Sequence, residues 1–162
     1  MPVEISEDSE AKDRFASLNA DVPDGVSVIP TGQEEIDGER YVVYPDGTDT
    51  VRKLLKQNGV DYTPSNLEDD TSTLVLRSEE IVLPTLYLAY RSVKENWDQI
   101  EFALNKIAEF YQDRYTQSIE ITIEQEMEDG STTRVEYRGP PGGIQELPGE
   151  IASLVEVEDD DE

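Results

Sequence analysis

The chain has 162 residues, 38 of them Asp or Glu against 13 Lys or Arg, for a formal charge of −25. It contains neither cysteine nor histidine. That excludes disulfides, thiolate and imidazole metal sites, and nucleophile systems built on Cys or His. The metal chemistry left is all-oxygen, suited to magnesium, calcium or monovalent ions.

The acidity is spread along the chain. Divided after Ile81, the two parts carry −12 and −13, and lysine is scarcer than arginine, five against eight. A domain this acidic repels itself in dilute buffer, and concentrated salt screens the repulsion. The composition therefore points to a protein of a salt-accumulating halophile, with bulk cations as its ionic partners. A rival use of the same charge is nucleic-acid mimicry, an acidic decoy for a DNA-binding protein. Direct binding to nucleic acid is not expected, because no basic stripe exists. The opening MPVEISEDSEAKDR is polar, without the pattern of a signal peptide. The longest apolar run, Ile81 to Tyr90, is too short to span a membrane. A soluble, cytoplasmic protein is expected.

In chain order, residues 1–8 are expected to be disordered, residues 9–155 to form a single domain, and residues 156–162 to be a solvated acidic tail. Ser9 to Ala20 has the pattern of a short helix with Phe15 and Leu18 inward, ended by the turn at Asp21–Gly25. Val26 to Ile29 is a short strand stopped by Pro30, and Thr31 to Gly38 is polar loop. Arg40 to Tyr44 is a strand ended by Pro45–Asp46–Gly47. Thr48 or Asp49 then caps a helix that runs through Asn58 and stops at Gly59. Val60 to Tyr62 is expected as a short strand, Thr63 to Asp70 as a loop, and Thr73 to Arg77 as a strand.

The dominant stretch is Ile81 to Tyr115. Leu86, Tyr90, Val93, Trp97, Ile100, Leu104, Ile107 and Tyr111 recur at alternating steps of four and three, one stripe of an α-helix. Pro84 suits a first turn. At about 1.5 Å per residue the helix would run for roughly 45 Å. The aromatic residues in the stripe fit a sheet beneath the helix better than a two-stranded coiled-coil seam. Opposite the stripe, Leu88 and Phe102 fall in one row with Glu95 and Glu109. They form a candidate partner surface, with Phe102 as its anchor.

A hairpin follows, with Ile119, Ile121, Ile123 and Met127 on a buried face and Glu120, Thr122, Glu124 and Glu128 on a solvated one. A two-residue Asp129–Gly130 turn would oppose Ile123 to Glu136 and mix the faces. A three-residue loop, Glu128–Gly130, sets Ile123 opposite Val135 and Ile121 opposite Tyr137, with Gly130 left-handed. The run Gly139–Gly143 then leads to a helix broken at Pro148, with Ile144, Leu147, Ile151 and Leu154 inward.

The segment Val42–Thr50 carries the one family likeness. Its Gly47–Thr48–Asp49–Thr50 run, at a strand-to-helix junction, resembles the Gly-Thr-Asp-Thr segment of the L-asparaginase family. In that family the first Thr and the Asp act in amide hydrolysis, which implies those roles for Thr48 and Asp49. The family's other nucleophilic threonine has no counterpart before Val42. Helix capping is the structural use of the same two residues. Gly139–Gly143 sits where backbone amides cradle phosphates, but no Lys or Ser/Thr follows at the spacing of a P-loop. Asp69–Asp70, Glu79–Glu80 and Glu156–Glu162 could attract hydrated cations, but none has the loop spacing of a calcium site, so they read as solvated acids.

The expected fold is α+β, a small antiparallel or mixed sheet packed by one long helix, with a C-terminal hairpin and short helix. The expected function is non-enzymatic, an interaction or assembly module of a halophilic microbe or its virus that contacts another protein or a second copy. No catalytic, cofactor or metal residues are assigned. The rivals are a small hydrolase-like enzyme using Thr48, Asp49 and carboxylates, and the acidic decoy.

Overall fold

Two strand–helix–strand crossovers organise the computed structural model, which describes residues 3–6, 25–29, 32–45, 47–57, 59, 72–76, 81–115 and 117–155. The elements are β1 (Val3–Ser6), β2 (Val26–Ile29), β3 (Gly32–Ile36), β4 (Glu39–Pro45), α1 (Thr48–Gln57), β5 (Ser72–Leu76) and β6 (Ile81–Val82). They continue with β7 (Thr85–Leu88), α2 (Tyr90–Arg114), β8 (Ile119–Glu126), β9 (Thr132–Gly139), a 3₁₀ turn (Pro141–Glu146) and α3 (Leu147–Val155). The fold class is α+β. A mixed six-stranded sheet runs β1-β9-β8-β7-β2, with β6 also on β8, and a three-stranded sheet runs β3-β4-β5. Parallel pairing joins β7 to β8 across α2 and β4 to β5 across α1. A helix is the usual way to make such a connection. The expected helix at Ser9–Ala20, strand at Val60–Tyr62, loop at Thr63–Asp70 and acidic tail lie outside the described residues.

One core joins both sheets to the helices. Leu86 and Leu88 of β7, Ile119, Ile121 and Ile123 of β8, and Val135 and Tyr137 of β9 lie beneath Val93, Ile100, Leu104, Ile107 and Tyr111 of α2. Tyr44, Val51 and Leu55 enter the same core from β4 and α1, and Ile144, Leu147 and Ile151 from the C-terminal turn and helix. The helical stripe holds from Val93 to Tyr111, with Tyr90 and Trp97 partly buried beside it. Asn96 (φ −128, ψ 31) interrupts the helix and divides it into two segments.

Several expectations are corrected. The long helix starts at Tyr90, because Ile81–Leu88 is extended: Leu83 precedes Pro84, a position pushed toward β geometry, and Ile81 and Val82 are β-branched. The step from Leu86 to Tyr90 did not discriminate, since four residues is close to one helical turn and equals two strand periods. All four residues of β7 are buried, as befits a strand lying between neighbours and covered on both faces. Within the expected loop, Gly32–Ile36 is a strand, because β3 pairs with β4 around Asp37–Gly38. Val3–Ser6, expected to be disordered, forms β1 and pairs antiparallel with β9. The C-terminal helical run is broken as expected, changing from 3₁₀ to α at Glu146–Leu147, which places Pro148 in the first turn of α3.

The hairpin register is as expected, Ile123 opposite Val135 and Ile121 opposite Tyr137. Gly130 donates to the Met127 carbonyl (2.9 Å) with φ +86, and Met127 donates to that of Ser131 (2.7 Å). Its second face is solvated only toward its ends, where Glu120 is half-buried and Glu128 exposed. Thr122 (6 % exposed) and Glu124 (0 %) are buried, and Arg134 lies 4.0 Å from Glu124. Cross-strand pairing sets Ser6, Arg134, Glu124, Tyr87 and Ser27 in one polar row across five strands of this face.

Candidate interaction surface

The structure separates the two residues expected to form one surface. Leu88 is 1 % exposed, deep in β7 and opposite Val26 of β2. It cannot share a helical row with anything, because the helix has not begun. Phe102 is on α2 and 50 % exposed, with the Lys106 ammonium 5.1 Å from its ring centre. Lys106 also reaches Glu109 at 3.2 Å. The row that survives is therefore Glu95, Phe102 and Glu109, one apolar ring between exposed acids.

Thr48 and Asp49 begin α1 without capping it. The first helical bond runs from the Val51 amide to the Gly47 carbonyl (3.1 Å), which makes Gly47 the cap. Thr48 is buried, and its hydroxyl donates to the Pro45 carbonyl at 2.7 Å. Asp49 points into solvent, 3.8 Å from Arg52. In the first turn its charge favours the helix dipole. The Gly-rich step after β9 spends its backbone locally too. The Gly143 amide donates to the Pro140 carbonyl (3.0 Å), and the Tyr137 hydroxyl donates to the same oxygen. Burial, with the Glu146 carboxylate adding to it, raises the Tyr137 phenol above its ordinary value.

The N-terminus of α2 lies at the C-terminal ends of the parallel pair β7–β8, a common place for an anion. The chain fills it with its own carboxylate. Glu126 accepts from the Tyr90 amide (3.1 Å) and from the Tyr87 hydroxyl (3.0 Å). The helix has no acid in its first turn and no side-chain cap at Ala89, so Glu126 supplies both from a neighbouring strand. Glu126→Gln should lower stability by about 1–2 kcal/mol, since it removes the negative charge at the helix N-terminus while leaving an amide able to accept a hydrogen bond. Denaturant unfolding in molar KCl measures it, and Tyr87→Phe in the same background should add little.

The feature that sequence reasoning missed is the ribbon made by β3 and β4. Asp37 (φ 52) and Gly38 (φ 83) are both left-handed, the type I′ turn whose twist matches a two-residue hairpin. From Glu34 through Glu39 every residue is exposed, and Ile36 is 43 % exposed. Successive strand residues point to opposite faces, so both faces of the ribbon are in water. Its root is buried at Val43, Tyr44 and Pro45. At the outer end the Tyr41 hydroxyl donates to Glu39 (2.8 Å), which raises the Tyr41 phenol above its ordinary value. The Asp-Gly pair was the available signal.

No family model, curated protein or solved structure matches this chain. Among the described residues, no group of three or more acids is placed to hold a metal ion, and no helix is long and apolar enough to cross a membrane.

Proposed function

We propose that this chain is a non-enzymatic interaction module working in the cytoplasm of a salt-accumulating microbe or its virus, and that the β3–β4 ribbon is its contact element. The observation that carries the reading is the exposure of Glu34–Glu39 on both faces. Beyond the pairing of Tyr41 with β5 the ribbon is two-stranded, which is marginal by itself, and this outer end, with neither face buried, adds little to the core. Such an element is accounted for by what it touches. Phe102 is the weaker candidate, since single exposed apolar residues are common on folded proteins.

The test compares Ile36→Ser with Phe102→Ser during native purification in molar KCl, with mass by light scattering and stability by melting. Ile36→Ser should keep its melting midpoint and lose the co-purifying partner or self-assembly. Phe102→Ser should keep both. Complexes that survive Ile36→Ser and dissolve with Phe102→Ser would move the contact to α2 and overturn the ribbon.

A further inference from the structure

The ribbon has a chemically specific edge. In a two-residue hairpin the pair that closes the turn is hydrogen-bonded, and pairs then alternate between bonded and non-bonded. Here Ile36–Glu39 closes the turn, so Glu34–Tyr41 is bonded and Glu35–Arg40 and Gln33–Val42 are not. The N–H and C=O groups of Gln33 and Glu35 therefore point away from β4. They face outward, because β3 is an outer strand of its sheet among the described residues.

We propose that β3 accepts an extended, basic segment of a partner protein as an added strand. The segment pairs with the backbone of Gln33 and Glu35, and adjacent Lys or Arg side chains meet Glu34 on one face and Glu35 on the other. This rests on the reading of the ribbon as the contact element and names the chemistry of what it contacts. Strand addition draws affinity from main-chain bonds and specificity from alternate side chains. The segment Gly32–Tyr41 carries four acids and one base, so a basic strand is complementary to it. A second copy is not. In the antiparallel register that pairs Gln33 of each copy with Glu35 of the other, Glu34 would face Glu34 at about 5 Å between Cβ atoms, beyond the screening length of about 3 Å in molar salt but too close for the repulsion to vanish. A helix or a folded surface would meet one face of the ribbon, whereas a strand meets both.

The probe is a synthetic peptide of alternating Thr and Val around a central Lys-Arg pair, added to the full chain in molar KCl. Amide hydrogen exchange is followed by NMR. Saturating peptide should slow exchange at Gln33 and Glu35 by about tenfold or more. Glu35→Gln should keep that protection with weaker affinity. Glu35→Pro removes the outward N–H at an edge position where proline is tolerated, and it should abolish protection with an unchanged melting midpoint. Unchanged exchange in the presence of peptide, protection that persists in Glu35→Pro, or equal protection by a peptide with Glu-Glu at its centre would each overturn the proposal. So would protection without peptide that grows with protein concentration, which assigns the edge to a second copy. If the peptide fails while Ile36→Ser still releases a bound partner, strand addition falls and the ribbon remains the contact element.

Discussion

In dilute buffer the chain should be largely unfolded, and its thermal midpoint should rise steeply toward molar KCl. With 38 acids against 13 bases, pairing every base would still leave a large excess of carboxylate. The bases are also spent close to home. Arg91 meets Glu95 (3.1 Å) and Lys106 meets Glu109 (3.2 Å) within α2, while Arg138 reaches Glu120 across the hairpin (3.0 Å). Two like charges about 8 Å apart in water repel by about 0.5 kcal/mol. A few tens of such pairs equal the about 5–15 kcal/mol that holds a domain folded. At a screening length of about 3 Å each term falls to less than a tenth, against about 10 Å in dilute salt. Circular dichroism melts across a KCl series measure this. A midpoint indifferent to salt would remove the halophilic reading and favour the decoy, whose charge serves a partner.

Gly143→Ala should be the most damaging small substitution in the C-terminal third, costing about 3 kcal/mol or more. A methyl carbon there would collide with the Tyr137 hydroxyl oxygen and lie 2.5 Å from Cζ and 2.7 Å from Cε1. The ring cannot retreat, because Tyr137 is 1 % exposed and its hydroxyl is tied to the Pro140 carbonyl. Two neighbours serve as controls. At Gly142 the methyl would meet only the exposed Gln112 side chain at 3.3 Å, and at Gly149 it would meet nothing. Gly142→Ala should be mild. Gly149→Ala, inside α3, should be neutral or stabilising by about 0.5–1 kcal/mol. Adding Tyr137→Phe to Gly143→Ala should relieve part of the loss, since it removes one of the three colliding atoms. Equal effects at the three glycines in urea unfolding would show that the ring does not set the requirement.

What was legible in the chain followed from strong local patterns. The stripe from Val93 to Tyr111 has helical spacing with no competing period, and Gly130 with its flanking alternation leaves one register that keeps Ile123 opposite Val135. The elements missed were those where local signals agree with two structures. Ile81–Tyr90 is apolar on every face, so its pattern suits a buried strand as well as a helix, and the choice depends on neighbours distant in sequence. Gly32–Glu35 is polar throughout, which reads as loop until pairing with β4 is known. Leu88 entered the candidate surface through the first ambiguity and the ribbon was overlooked through the second. Thr122 and Glu124 look solvated by alternation because a sequence shows which residues share a face, not whether that face is covered.

The pairing of β1 with β9 also bears on the order in which the chain folds. Val3 lies opposite Tyr137, almost the full length of the chain away. The β8–β9 hairpin has local contacts and can form within microseconds. Closing β7 onto β8 must wait for α2, and β1 cannot dock until the hairpin offers it an edge. Each later step closes a longer loop, at an entropy cost that grows slowly with length, and non-local pairing of this kind slows folding. The first strand of the chain should therefore be the last to lock in place and the first to let go.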